Sequence, residues 1–304
     1  MHPMSSRLLV VAALALALAA CAFAPRKEQA PPPVAVPPAV ILPPLKIALV
    51  LGGGAARGYA HVGVIKALES NGIHPDIVVG TSVGSLVGAL YAAGYSGFEL
   101  QRLALAMDDG MVSDWSLPDR GFIKGEALQN YVNVVLSYRP IEKLAKTLAI
   151  VATDLQTGDA VVFRTGNTGM AVRASSSVPG IFQPVRINGH DYVDGGLVSP
   201  VPVKVARSLG ADIVIAVDVS SKPRYGKTAS SLDVLLQTFN IMGQSIASHE
   251  LLQADIVIRP YVDGVGGTDF QGKHLAILEG EKAAADCLPA LRAKLAAQPP
   301  AKGR

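Results

Sequence analysis

Two short runs in the 304-residue sequence carry residue types that suit nucleophilic chemistry once brought together. The first is Gly80-Thr81-Ser82-Val83-Gly84, with an apolar segment, Ile77-Val78-Val79, before it and a helix-like one, Val83 to Ala93, after it. A serine in that setting stands on a strand-to-helix turn. Glycines two residues to either side leave room for the bend, and the helix N-terminus supplies N–H dipoles that stabilise negative charge. The pattern is short, and a Gly-Ser turn that merely caps a helix is its plain alternative. The second run is Asp194-Gly195-Gly196, which leaves a hairpin built from Val185-Arg186-Ile187, the turn Asn188-Gly189, and Tyr192-Val193. A hydroxyl nucleophile needs a base that takes its proton and hands it to the leaving group. Aspartate is a weak base at its ordinary pKa, so burial beside Ser82 would have to raise it; otherwise Asp194-Gly195 is a structural turn.

A third run belongs with these. Lys46-Ile47-Ala48-Leu49-Val50-Leu51 has the length of a buried strand and is followed by Gly52-Gly53-Gly54-Ala55-Ala56-Arg57-Gly58, then by a helix with His61, Ile65 and Leu68 on one face and Gly72 just past its end. The glycine spacing does not fit a dinucleotide fingerprint, and no P-loop lysine follows. The remaining chemical reading is an oxyanion hole, in which N–H groups around Gly53, Gly54 and Ala55 face an oxygen that gains charge during acyl transfer.

Histidine is the rival base. His61 falls on the helix after the glycine loop, where packing or support of that loop is expected of it. His190 lies four residues before Asp194, and strand alternation could bring both to one face, although His190 would then have to fit between Ser82 and a near neighbour on its own strand. No cluster of His, Cys and carboxylates has metal-ligand spacing, and no cofactor loop remains once the glycines are assigned.

The other elements alternate in a way that argues a mainly parallel sheet with helices on both faces. Glu99 to Met107 and Gly125 to Leu136 read as helices, and Leu148 to Ala152 as a strand with Ala160 to Arg164 as its hairpin partner. Pro202 to Leu209 reads as a helix, Ile213 to Val219 as a strand, Leu232 to Leu251 as a long helix, Ile256-Val257-Ile258 as a short strand and Leu275 to Ala297 as a last helix. Asp108 to Lys124, which holds the only tryptophan, Trp115, is irregular and suits either a lid or a packed loop. With half its residues hydrophobic and a net charge of +3, the chain has one sizeable core and no basic block for nucleic acid.

The N-terminus reads as a targeting segment. Arg7 precedes an apolar run, Leu8 to Ala20, too short to span a bilayer comfortably, and Leu18-Ala19-Ala20-Cys21 resembles the bacterial lipobox. Cleavage before Cys21 and its lipidation would leave Cys287 as the only thiol; a Cys21–Cys287 disulfide is the alternative. Residues 22–45 are rich in proline and form a semi-rigid spacer.

Taken in order, Gly52 to Gly58, Gly80 to Gly84, Thr153-Asp154-Leu155, Arg173 to Pro179 and Asp194-Gly195-Gly196 resemble the patatin-like phospholipases, and the glycine loop resembles their bacterial and neuropathy-target-esterase-like branch. The resemblance runs from about residue 46 to about 260. It implies a three-layer α/β/α fold and an acyl hydrolase with a Ser82–Asp194 dyad, no catalytic histidine and no cofactor. Gly52, Arg57, Gly58, Gly80, Gly84, Gly195 and Gly196 would support the site. The expected organisation is a signal peptide (1–20), a lipidated Cys21 and tether (21–45), a catalytic domain (46–260) and a C-terminal loop, helix and tail (261–304). The expected substrate is an acyl ester of a membrane phospholipid or lysophospholipid, cleaved by a protein anchored in the bacterial cell envelope, at the outer membrane and facing the periplasm. A soluble-ester or thioester hydrolase and a non-catalytic lipid-binding lipoprotein are the alternatives, and the sequence names no protein partner.

Overall fold

The computed structural model describes residues 45–107, 123–220, 228–263 and 272–297, all within the unit Leu42–Arg304. The expected signal segment, Cys21, the proline-rich stretch to residue 44 and the segment around Trp115 lie outside the described residues.

The five strands β1 (Ile47–Leu51), β2 (Ile77–Thr81), β3 (Thr147–Asp154), β7 (Ile213–Val217) and β8 (Ile256–Ile258) form the parallel part of an eight-stranded sheet. The strand order is β5-β6-β3-β2-β1-β7-β8, where β5 (Val185–Ile187) and β6 (His190–Asp194) are the expected hairpin and β4 (Ala160–Phe163) pairs antiparallel with β3. Asn188 and Gly189 both adopt positive φ, 51° and 91°, as a two-residue hairpin turn requires.

Buried strands covered on both faces read as continuous apolar runs, and their alternation divides two cores. Leu49, Leu51, Val78, Ile150 and Ile215 face the larger core, formed with α1 (Tyr59–Ser70), α2 (Val83–Ala92), α3 (Gly97–Ala106), α4 (Glu126–Val135) and α8 (Lys273–Ala297). Ala48, Val50, Val79, Val151 and Val214 face the smaller core under α6 (Val203–Ser208) and α7 (Ser231–Glu250). The result is three layers, α/β/α, around a mostly parallel sheet. A further helix, α5 (Thr168–Ser175), has no counterpart in the reading above; it is capped by Asn167, whose side chain accepts the Met170 N–H, and lies against β3. The last helix, α8, buries Ala276, Ile277, Ala284 and Leu291 in the same core as the sheet.

Strand register brings the two chemical runs together. Ile150 and Val151 pair with β2 and β4, while Ala152 and Thr153 pair with β4 and β6, so β2 and β6 follow one another along the same edge of β3. Thr81 stands opposite Val151 and Asp194 opposite Ala152. The residue after β2 and the last residue of β6 are therefore neighbours.

Candidate active site

Ser82 sits at the point where β2 turns into α2, with φ 55° and ψ −128°. A non-glycine residue with positive φ costs about 1–3 kcal/mol and persists only where its surroundings fix it. Here its N–H donates to Ser175 Oγ at 2.8 Å, and its carbonyl accepts from the Ser85 N–H at 2.8 Å and the Ser85 hydroxyl at 2.6 Å. Ser175 passes the restraint on, donating its hydroxyl to the Val151 carbonyl at 2.5 Å. Both glycines of the turn are needed for close approach. A Cβ at Gly80 would fall 2.4 Å from the Gly84 carbonyl oxygen, and one at Gly84 would fall 2.0 Å from that of Leu51.

Asp194 is 2% exposed and accepts the Ser82 hydroxyl on Oδ2 at 2.6 Å and the Gly196 N–H on Oδ1 at 2.7 Å. Its backbone is fixed as well, through its N–H to the Ser177 carbonyl and its carbonyl from the Thr153 hydroxyl. Burial disfavours the carboxylate and lifts its pKa to about 6, against the opposing pull of the bonds from Ser82 and Gly196. The carboxyl group is thus ionised at neutral pH yet basic enough to accept a proton. Gly195 packs against the backbone of β3, and Gly196 lies beside Phe239 of α7.

The glycine loop runs alongside. Gly53 approaches Ser82 so closely that a Cβ on it would lie 3.4 Å from the serine Cβ, and Gly58 packs on Val83. The Gly53 N–H, expected to face the substrate, donates instead to the Pro200 carbonyl at 3.0 Å, because the loop is strapped to the segment after Asp194. That correction leaves the N–H groups of Gly54 and Ala55, neither of which meets a protein acceptor among the described residues. Ala55 holds a positive φ of 51°, and Arg57 fastens the loop from the far side, its Nε donating to the Val219 carbonyl at 3.1 Å. Gly52 donates to the Val217 carbonyl at the end of β7.

Neither histidine of interest reaches the pair. His61 is fully buried with Nε2 2.8 Å from the Gly52 carbonyl; a carbonyl can only accept, so Nε2 carries the proton and the ring supports the loop. Burial lowers its pKa to about 4, so it is neutral at pH 7. His190 lies largely in solvent and bonds Asp154 at 2.7 Å, while Asp154 also closes its turn by accepting the N–H groups of Gln156 and Thr157. Among the described residues no histidine bonds to Ser82 or Asp194, and no group of three or more metal-ligating side chains occurs. Reasoning from sequence missed Ser175, and also Thr81 and Glu250, which act on the backbone around the pair. Thr81 and Ser175 lie inside runs already singled out but were given no role of their own, and Glu250 stands in no recognisable motif.

The family model described as "Patatin-like phospholipase" matches residues 49–207, which is just over half of the chain and includes the glycine loop, Ser82 and Asp194. The chain belongs to the patatin-like phospholipase family. Its relatives include a patatin-like phospholipase domain-containing protein of Caenorhabditis elegans, 39% identical over 65% of this chain and 16% of that one. Human patatin-like phospholipase domain-containing protein 6 is 37% identical over 64% of this chain and 15% of its own length. An uncharacterized NTE family protein of Mycobacterium tuberculosis is 32% identical over 72% of this chain and 61% of that one. This patatin-like chain thus spans about one sixth of the animal relatives. Among solved structures, VipD from Legionella pneumophila superposes with a TM-score of 0.57 at 13% identity, over 82% of this chain and 67% of that one, a likeness of fold.

Proposed function

We propose that this patatin-like protein is a serine acyl hydrolase in which Ser82 is the nucleophile and Asp194 the only base. The reading rests on the 2.6 Å bond from the Ser82 hydroxyl to a buried carboxylate whose pKa is lifted to about 6. Ser82 Oγ attacks the ester carbonyl carbon as its proton passes to Asp194 Oδ2, and the carbonyl oxygen becomes an oxyanion facing the Gly54 and Ala55 N–H groups. Collapse breaks the ester bond, and the departing alcohol takes the proton from Asp194. Water then attacks the acyl-serine, again giving its proton to Asp194, which returns it to Ser82 Oγ as the acid leaves. Phospholipid or lysophospholipid is the proposed substrate class, in keeping with the names of the relatives. A lipid on Cys21 and the proline-rich spacer would hold the domain against the bacterial outer membrane, facing the periplasm.

Assay of the purified protein on phospholipids, lysophospholipids and short-chain esters, with fluorophosphonate labelling, tests this. Phospholipid hydrolysis and labelling that both vanish in Ser82→Ala are expected. An unlabelled wild-type protein, or labelling that survives in Ser82→Ala, refutes the nucleophile.

A further inference from the structure

The segment Ser199-Pro200-Val201 touches both halves of the site. The Ser199 carbonyl accepts the Thr81 hydroxyl at 2.8 Å, next to the nucleophile, and the Pro200 carbonyl accepts the Gly53 N–H at 3.0 Å, at the start of the glycine loop. Glu250, at the last turn of α7 and 6% exposed, grips the same segment from behind: one carboxylate oxygen accepts the Ser199 hydroxyl and the other accepts the Val201 N–H at 2.9 Å.

The planarity of the peptide bond turns this grip into leverage. The Pro200 C=O and the Val201 N–H belong to one rigid trans unit and point in opposite directions. Fixing the N–H on Glu250 therefore fixes the carbonyl that holds Gly53. Pro200 and Pro202 have no N–H, so Val201 is the only backbone donor of the three, and Glu250 takes it. Burial raises the Glu250 pKa against the pull of its bonds from Ser199 and Val201 and of the Lys204 charge, and a negative charge at a helix C-terminus opposes the helix dipole.

We infer that Glu250 is a positioning residue of the acyl-transfer site, which acts through the Pro200–Val201 peptide to hold the glycine loop against Ser82. This rests on the hydrolase reading above, and it is a claim about hydrogen-bond geometry, not charge. Glu250→Gln keeps the reach: the amide oxygen can accept from Val201 and the amide N–H can donate to the Ser199 hydroxyl. Glu250→Asp keeps the charge but withdraws both oxygens by about 1.5 Å.

The test uses the full chain, with kcat referred to active sites titrated by a fluorophosphonate, and amide hydrogen exchange of the peptide that contains Gly53. Glu250→Asp is expected to lose at least about tenfold in kcat on a short-chain ester, part of the 10²–10³ lost with a whole oxyanion donor, with KM unchanged. Exchange at Gly53 should accelerate in the same variant. Glu250→Gln should stay within about threefold of wild type in kcat, the difference between a charged and a neutral hydrogen bond, with slow exchange. Wild-type kcat in folded Glu250→Asp, or a loss in Glu250→Gln as large as in Glu250→Asp, overturns the inference. If the wild-type protein itself is not labelled at Ser82, the hydrolase reading fails separately, and unchanged exchange at Gly53 in Glu250→Asp then overturns the grip itself.

Discussion

Replacing Asp194 with Asn should remove activity and at the same time stabilise the fold, to an extent that depends on pH. Burial lifts the Asp194 pKa from 3.8 to about 6, so the native chain holds this proton more tightly than the unfolded chain does. The sign follows: between pH 3.8 and 6 the native state binds more protons, and the wild type loses stability as pH rises through that window. At 1.36 kcal/mol per pH unit the loss is about 3 kcal/mol and is complete above pH 7. Asparagine does not ionise. Its amide oxygen can still accept the Gly196 N–H, and its amide N–H can donate to Ser82 Oγ in place of the bond the carboxylate accepts. Asp194→Asn should therefore melt about 6–12 °C above wild type at pH 8, taking about 2–4 °C per kcal/mol for a domain of this size, with the gap shrunk to about a third of that at pH 4.5. Calorimetry of both proteins at pH 4.5, 6 and 8 measures the gap directly, since contributions from all other groups cancel in the difference. A gap that stays constant with pH, or a variant less stable than wild type at pH 8, refutes the desolvated carboxylate. The same ionisation should shape the rate, kcat/KM of the wild type falling about tenfold per pH unit below pH 6.

Three further outcomes are expected. His190→Ala should keep nearly full activity, because His190 bonds Asp154 in solvent, whereas Asp194→Asn should be as inactive as Ser82→Ala and the double variant no worse than either; an ester assay on folded proteins decides, and an inactive His190→Ala would restore a triad. Gly54→Val should lower kcat by about 10²–10³, the loss typical of one oxyanion donor. A Cβ there would fall 2.5 Å from the Val219 carbonyl oxygen and force the loop away from Ser82, so wild-type turnover with circular dichroism unchanged would move the oxyanion site elsewhere. Cys21→Ser should abolish palmitate incorporation and membrane retention while leaving activity on a soluble ester intact; incorporation that persists in the variant would exclude Cys21 as the acylated residue.

How much of this was legible in the sequence varies with the range of the forces involved. Strands β1, β2 and β7 were readable because both faces are buried, which leaves an uninterrupted apolar run, and the β5–β6 hairpin because Asn188-Gly189 suits a turn with two positive φ angles. The runs that bring Ser82 against Asp194 were legible because each needs glycine neighbours that leave a mark on the chain. Helix α5 was not, since Arg173-Ala174-Ser175-Ser176-Ser177 has the polarity of a loop and becomes helical against α4 and β3. With it went Ser175, the residue that holds the Ser82 N–H. The direction of the Gly53 N–H was equally hidden, because its acceptor, Pro200, is distant in sequence, and Glu250 reads as one more solvated glutamate at a helix end.

The spacing of Ser82 and Asp194 also bears on how the proposed dyad could suffice where many hydrolases use three residues. In a triad the histidine moves the proton and the acid orients the histidine. Here strand pairing does the orienting: Thr81 lies opposite Val151, Asp194 opposite Ala152, and Ser175 joins the Val151 carbonyl to the Ser82 N–H. The carboxylate needs no further aim, because its two oxygens are fixed by Ser82 and by Gly196 in the turn that follows β6. A 2.6 Å contact leaves no space for an imidazole between them, and to admit one the hairpin would have to move back along β3. Because register changes in whole residues, and a slip of one turns every side chain of β6 to the opposite face, no small adjustment of this sheet converts the pair into a triad. In the proposed dyad, the basicity that a histidine would have supplied comes from desolvation of Asp194.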